Sequence, residues 1–72
     1  PLVSSSAASD VYKRQISDYT KAIEINPNNK DAYRNSGIDK KKIGDLYGAC
    51  SDWRKASSLG DEVSSRWVRD NC

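Results

Sequence analysis

Ile16, Tyr19, Thr20 and Ile23 fall three, four and seven positions apart, the stripe an amphipathic helix turns toward a core. Asn26-Pro27-Asn28-Asn29 breaks the pattern. Pro27 has no amide hydrogen to extend the helix and biases Asn26 out of helical geometry, while Asn28 or Asn29 offers an N-cap oxygen to the next helix. The second helix is predicted to run to about Ile43, with Tyr33, Gly37, Ile38, the stem of Lys40 and Ile43 turned inward. Gly37 lowers helix propensity there, which is tolerable where another helix approaches closely. Gly44-Asp45 makes the next turn, with glycine in a left-handed cap. Leu46, Ala49, Cys50, Trp53, Ala56 and Leu59 repeat at helical spacing and predict a third helix over those residues. Gly60 ends it, and Asp61 caps a fourth helix to about Asn71 with Val63, Trp67 and Val68 inward. Asp18 with Lys21 and Glu62 with Arg66 are placed to pair along their helices. The pattern predicts an all-α stack of antiparallel helices joined by tight turns.

Ser17-Asp18-Tyr19-Thr20-Lys21-Ala22 returns 34 residues later as Ser51-Asp52-Trp53-Arg54-Lys55-Ala56. A fixed period of this size marks proteins built from stacked helix pairs. On these residues the chain resembles the tetratricopeptide repeat family. Within a complete unit from Lys30 to Val63, Tyr33, Gly37, Ala49, Trp53 and Ala56 fall on the motif positions, and the Gly44-Asp45-Leu46 turn suits them. Ile16 to Asn29 resembles the second helix of a preceding unit through Tyr19, Ala22 and Pro27. The resemblance implies antiparallel helix pairs of a right-handed solenoid. Residues 16–29 would be the second helix of a partial repeat, 30–60 a complete repeat and 61–72 a C-terminal capping helix. The departures cluster. Asp61 replaces the motif's proline, Ser36 its leucine, and Asp39 and Lys40 its apolar or small residues, while Ser57-Ser58 weakens the third helix's end. They read as a terminal unit whose outer face needs a cap. Arrays generally need about three repeats, so this piece is expected to be marginally stable.

The front of the chain reads differently. Asp10-Val11-Tyr12-Lys13-Arg14-Gln15 is identical to one reading frame of the transposon end used to prepare sequencing libraries, and residues 1–9 are short and serine-rich. The repeat register is lost before Ile16, where Gln15 stands opposite Ala49 in place of a small residue. Residues 1–15 are therefore expected to be a non-native leader, with the authentic protein longer and this its C-terminal part. The competing reading is a natural disordered leader grading into a helix.

Composition narrows the chemistry. Twelve basic and ten acidic residues give a net charge of +2, too balanced to imply nucleic acid or an anionic membrane. No apolar run nears the length of a membrane span, and no secretory signal is legible, so a cytoplasmic setting is expected. In that setting Cys50 and Cys72 are read as reduced thiols, Cys50 as a small core residue. There is no histidine for a general base or a zinc site, and no glycine-rich phosphate loop, so neither an enzyme nor a cofactor or metal is expected.

What remains is a surface for another protein or peptide. In the family it resembles, ligands lie in the groove lined by the first helix of each unit, here Asp31, Arg34, Asn35, Ile38, Lys41 and Lys42. Arg34, Lys41 and Lys42 would form a basic strip for an acidic peptide or a C-terminal carboxylate. Asn35 matches a position some carboxylate-binding members use, whereas Ile38 stands where they carry a polar amide. The competing reading makes Lys40-Lys41-Lys42 a solvated helix face. Trp53 is assigned to the core, and Trp67 to packing ahead of display. A docking appendage of an upstream enzyme is the second functional reading. RNA binding, the third, is disfavoured by the near-neutral charge and the Asn26-Pro27-Asn28 boundary.

Overall fold

The computed structural model describes residues 3–72, with side chains from residue 10 onward. Pro1 and Leu2 of the expected leader lie outside the described residues. Four helices follow in order: α1 (Val3–Ile25), α2 (Lys30–Lys42), α3 (Leu46–Ser58) and α4 (Glu62–Asn71). No strand occurs among the described residues, so the fold is all-α. Each helix lies against its neighbour in sequence, α1 on α2, α2 on α3 and α3 on α4. The pairs are antiparallel. Tyr12 lies beside Lys42 and Gln15 reaches Asp39. Arg34 meets Trp53 and Lys40 meets Asp52. Ser57 meets Ser65 while Cys50 joins Cys72.

α1 starts earlier than the periodicity marks. It is continuous through residues 3–15, which contain neither glycine nor proline to interrupt a helix. Tyr12 and Gln15 of the expected leader sit on α2. With its amide nitrogen turned toward α2, Gln15 donates to both oxygens of Asp39, at 2.8 and 3.2 Å.

Two turns use the same Gly-Asp device. Gly44 (φ 89°) and Gly60 (φ 103°) adopt the left-handed conformation that a side chain resists. The amide of the following aspartate then reaches back over the helix end, Asp45 to the Lys40 carbonyl at 2.8 Å and Asp61 to the Ala56 carbonyl at 3.0 Å. Each aspartate next caps the new helix. Asp45 accepts from the Gly48 amide at 2.9 Å and Asp61 from the Ser64 amide at 3.0 Å. At the α1–α2 turn the cap is Asn29, accepting from the Ala32 amide at 3.1 Å.

The core is Ala32, Ala49, Cys50, Trp53 and Ala56. Trp53 is its one large side chain, 2% exposed, with Nε1 donating to the Arg34 carbonyl at 3.3 Å. Its indole covers Gly37, where an added Cβ would collide with the ring. A side chain, rather than a helix backbone, is what approaches that glycine. Several positions expected inside lie at the rim. Leu46 is 43% and Val63 42% exposed, and Tyr33, Ile38, Lys40 and Ile43 are half-buried. One layer of helices covers only one side of each element, so apart from Trp53 small residues fill the crossings and large ones border them. Buried instead are Ser36, Asp39, Asp61 and Ser64. Neither Asp18–Lys21 nor Glu62–Arg66 forms an ion pair among the described residues; Lys40 pairs across helices with Asp52 at 2.9 Å.

The cysteines overturn the reduced-thiol expectation. Cys50 and Cys72, 22 positions apart, form a disulfide across a Cα separation of 6.1 Å. Antiparallel packing of α4 on α3 brings the residue after α4 beside the first turns of α3, and helical periodicity carries no sign of that meeting.

Candidate functional site

α2 and α4 flank an open groove floored by α3. Ile38, Lys41 and Lys42 line it from α2, Trp53 from α3, and Trp67 and Asn71 from α4, around a volume of about 510 Å³. The two indoles meet tilted at 57° with centroids 5.3 Å apart. Trp67 is half-buried: it packs on Trp53 and also forms a wall of the groove. Ile38 and the tryptophans make the floor apolar, and cations stand on one rim.

That rim is held by neighbours. The Lys41 ammonium donates to Asn71 Oδ1 at 3.2 Å, and Asn71 Nδ2 donates to the Trp67 carbonyl at 3.0 Å. The Lys42 ammonium lies 5.1 Å from the centre of the Tyr12 ring, a cation–π distance. Lys41 and Lys42 remain exposed to solvent, whereas Lys40 is drawn to Asp52. The three lysines of the run thus turn to α4, α1 and α3, and only the last two of the run border the groove.

Of the six residues expected at a partner-binding groove, Ile38, Lys41 and Lys42 border this concavity. Arg34 is committed elsewhere: Nη1 meets Asp61 Oδ1 at 2.8 Å and Nη2 meets Asp31 Oδ1 at 3.1 Å. Asp31 is thereby tied to the same guanidinium. Asn35 is half-buried on α2 and does not border the groove. The basic strip is accordingly two lysines rather than three cations. Asn71 is the residue that sequence reasoning missed, since no motif or period marks it.

Two buried carboxyls flank this architecture and shift in opposite directions. Burial pushes Asp39 above the ordinary carboxylate range, against the opposing charge of Lys42. Burial would raise Asp61 too. Its hydrogen bonds from the Ser64 hydroxyl and amide, together with the Arg34 guanidinium, prevail and hold it below that range. Asp39, Asp61 and Ser36 are all buried.

Beyond Asn71 lies a second, smaller recess of about 270 Å³, lined by Leu46, Tyr47, Cys50, Arg54, Asn71 and Cys72. Asn71 separates it from the main groove, and Tyr47 is 90% exposed at its edge. Among the described residues no cluster of metal-ligating side chains occurs, and no helix is long and apolar enough to cross a membrane. Compared with models of known protein families, with curated proteins and with solved structures, the chain gives no match.

Proposed function

We propose that this chain is a protein-interaction module, the C-terminal part of a longer scaffold of tetratricopeptide type. In this reading α2 and α3 form the complete repeat, the second half of α1 belongs to a partial one, α4 is the cap, and the stack continues as a right-handed solenoid. The module acts by binding, with no chemistry of its own. The observation that carries the reading is the groove between α2 and α4, with its apolar Ile38–Trp53–Trp67 floor beside two solvent-exposed lysines. Such a surface suits a peptide that offers one large apolar side chain and one or two carboxylates.

The test uses fluorescein-labelled ten-residue peptides carrying a single leucine among glutamates, with a lysine-substituted set as control, read by fluorescence polarisation. Replacing Lys41 and Lys42 together with glutamate should weaken binding of the acidic set by about tenfold or more, the size of one to two charge-assisted hydrogen bonds. Helicity by circular dichroism should stay unchanged. Equal binding of both peptide sets, or binding undiminished in the variant, removes the groove as the site.

A further inference from the structure

The disulfide and the groove adjoin at Asn71. Cys72 follows Asn71 directly, and Asn71 borders both the groove and the recess around the disulfide. Asn71 also holds the rim, accepting from Lys41 at 3.2 Å and donating to the carbonyl of Trp67, the groove wall, at 3.0 Å. The covalent bond to Cys50 therefore fixes the turn of α4 on which one side of the groove depends. α4 has only 10 residues, shorter than the roughly 12–15 an isolated helix needs to be even marginal in water. Its first turn is held by the Asp61 cap and the Arg34 pair, its middle by Trp67 on Trp53, and its end by the Cys50–Cys72 bond.

We propose that the Cys50–Cys72 disulfide is a reducible clasp that sets the conformation of the groove's α4 wall. The proposal rests on the groove being the binding surface. A dithiol reductant is its chemical partner. Cys72 is exposed while Cys50 is buried, so an incoming thiolate reaches the Cys72 sulfur. The new sulfur–sulfur bond forms at Cys72 and the old one breaks, its electron pair leaving on Cys50, which takes up a proton. The reductant's second thiolate then attacks its own sulfur in the mixed disulfide. It leaves as the cyclic or bridged disulfide and releases Cys72 as a thiolate that protonates. Two electrons pass from the dithiol to the protein, and its two thiol protons end on the two cysteines.

Reduction leaves Cys50 Sγ near the Asn71 carbonyl, now 3.9 Å away, but no longer bonded to the chain that follows it. The last turn of α4 is then free to fray, taking with it the Asn71 contacts to Lys41 and Trp67. An oxidising setting keeps the wall in place, and the reducing cytoplasm expected for this chain loosens it.

The test is amide hydrogen exchange of the full chain, followed by NMR at low temperature with and without dithiothreitol. No peptide is needed, so the result stands apart from the groove's own test. Amides of Ser65 to Asn71 should exchange at least about 100-fold faster after reduction, while those of α2 and α3 stay at least about tenfold better protected than α4. The Cys72→Ser variant should show the reduced pattern without reductant and no further response to it. Unchanged α4 exchange overturns the proposal. So does uniform loss of protection across α2, α3 and α4, which would make the disulfide a global staple. If α4 loosens but acidic peptides bind neither form, the clasp stands and the groove reading falls.

Discussion

Trp53 joins three helices through one side chain: it sits on α3, covers Gly37 of α2, donates to the Arg34 carbonyl and meets Trp67 of α4. Truncating it leaves a cavity among small residues that cannot close over it. Trp53→Ala should lower unfolding free energy by about 3–5 kcal/mol in urea titration. Gly37→Ala tests the same contact from the other side. Alanine gains roughly 1 kcal/mol of helix propensity, but its Cβ meets the indole. The overlap should prevail, with a net loss of about 1–3 kcal/mol. A gain in stability would place the indole elsewhere. Asp61 and Asp39 separate by pH. Asp61 is depressed, so its contribution is present above the unfolded value of about 3.9 and is lost as pH falls through its folded value. Asp39 is raised, so its ionisation weakens the fold as pH climbs from about 3.9 through its folded value. Thermal melts across pH 2–7 should therefore lose their acid-side slope in Asp61→Asn and their slope above about pH 4 in Asp39→Asn.

At the scale of the element, the two Gly-Asp turns do most to set where helices stop and start. In each, glycine takes the left-handed conformation and aspartate closes one helix and caps the next. Gly44→Ala and Gly60→Ala should each cost about 1–2 kcal/mol, since neither site has a steric neighbour and only the backbone conformation resists. Asp45→Ala should cost about 1 kcal/mol through the lost cap. Denaturant titrations of the three variants check both figures. These elements were largely legible beforehand. The N-cap asparagine, both glycine caps, the Asp61 cap and the ends of α2 to α4 agree with the periodicity to within a residue or so, because local sequence alone governs them. α1 was the exception: nothing in residues 3–15 breaks a helix, and the expected start at Ile16 came from the repeat register, which does not control propensity.

For the whole molecule, the disulfide closes a loop of 22 residues over the second helix pair. In the chain-entropy account such a loop is worth about 3 kcal/mol, and a clasp confined to α4 places that cost on the opening of α4, so replacing both cysteines with alanine should raise α4 amide exchange by about 100-fold while α2 and α3 keep their protection. The same long-range geometry decided the groove. Ile38, Lys41 and Lys42, expected on one face of α2, border the concavity between α2 and α4. Arg34 was not separable from them by register, because Asp61, which claims it, lies 27 residues away on the far side of a turn. Asn71 carried no pattern at all. The sequence by itself determined helices α2 to α4, their turns and the alanine and tryptophan crossings. Each follows from periodicity, capping or steric freedom within a few residues. Only the tertiary structure decided which polar side chains became interior, which lysines stayed exposed and which cysteines met. Those outcomes depend on distances between atoms far apart in the chain, and helical period carries no information about them.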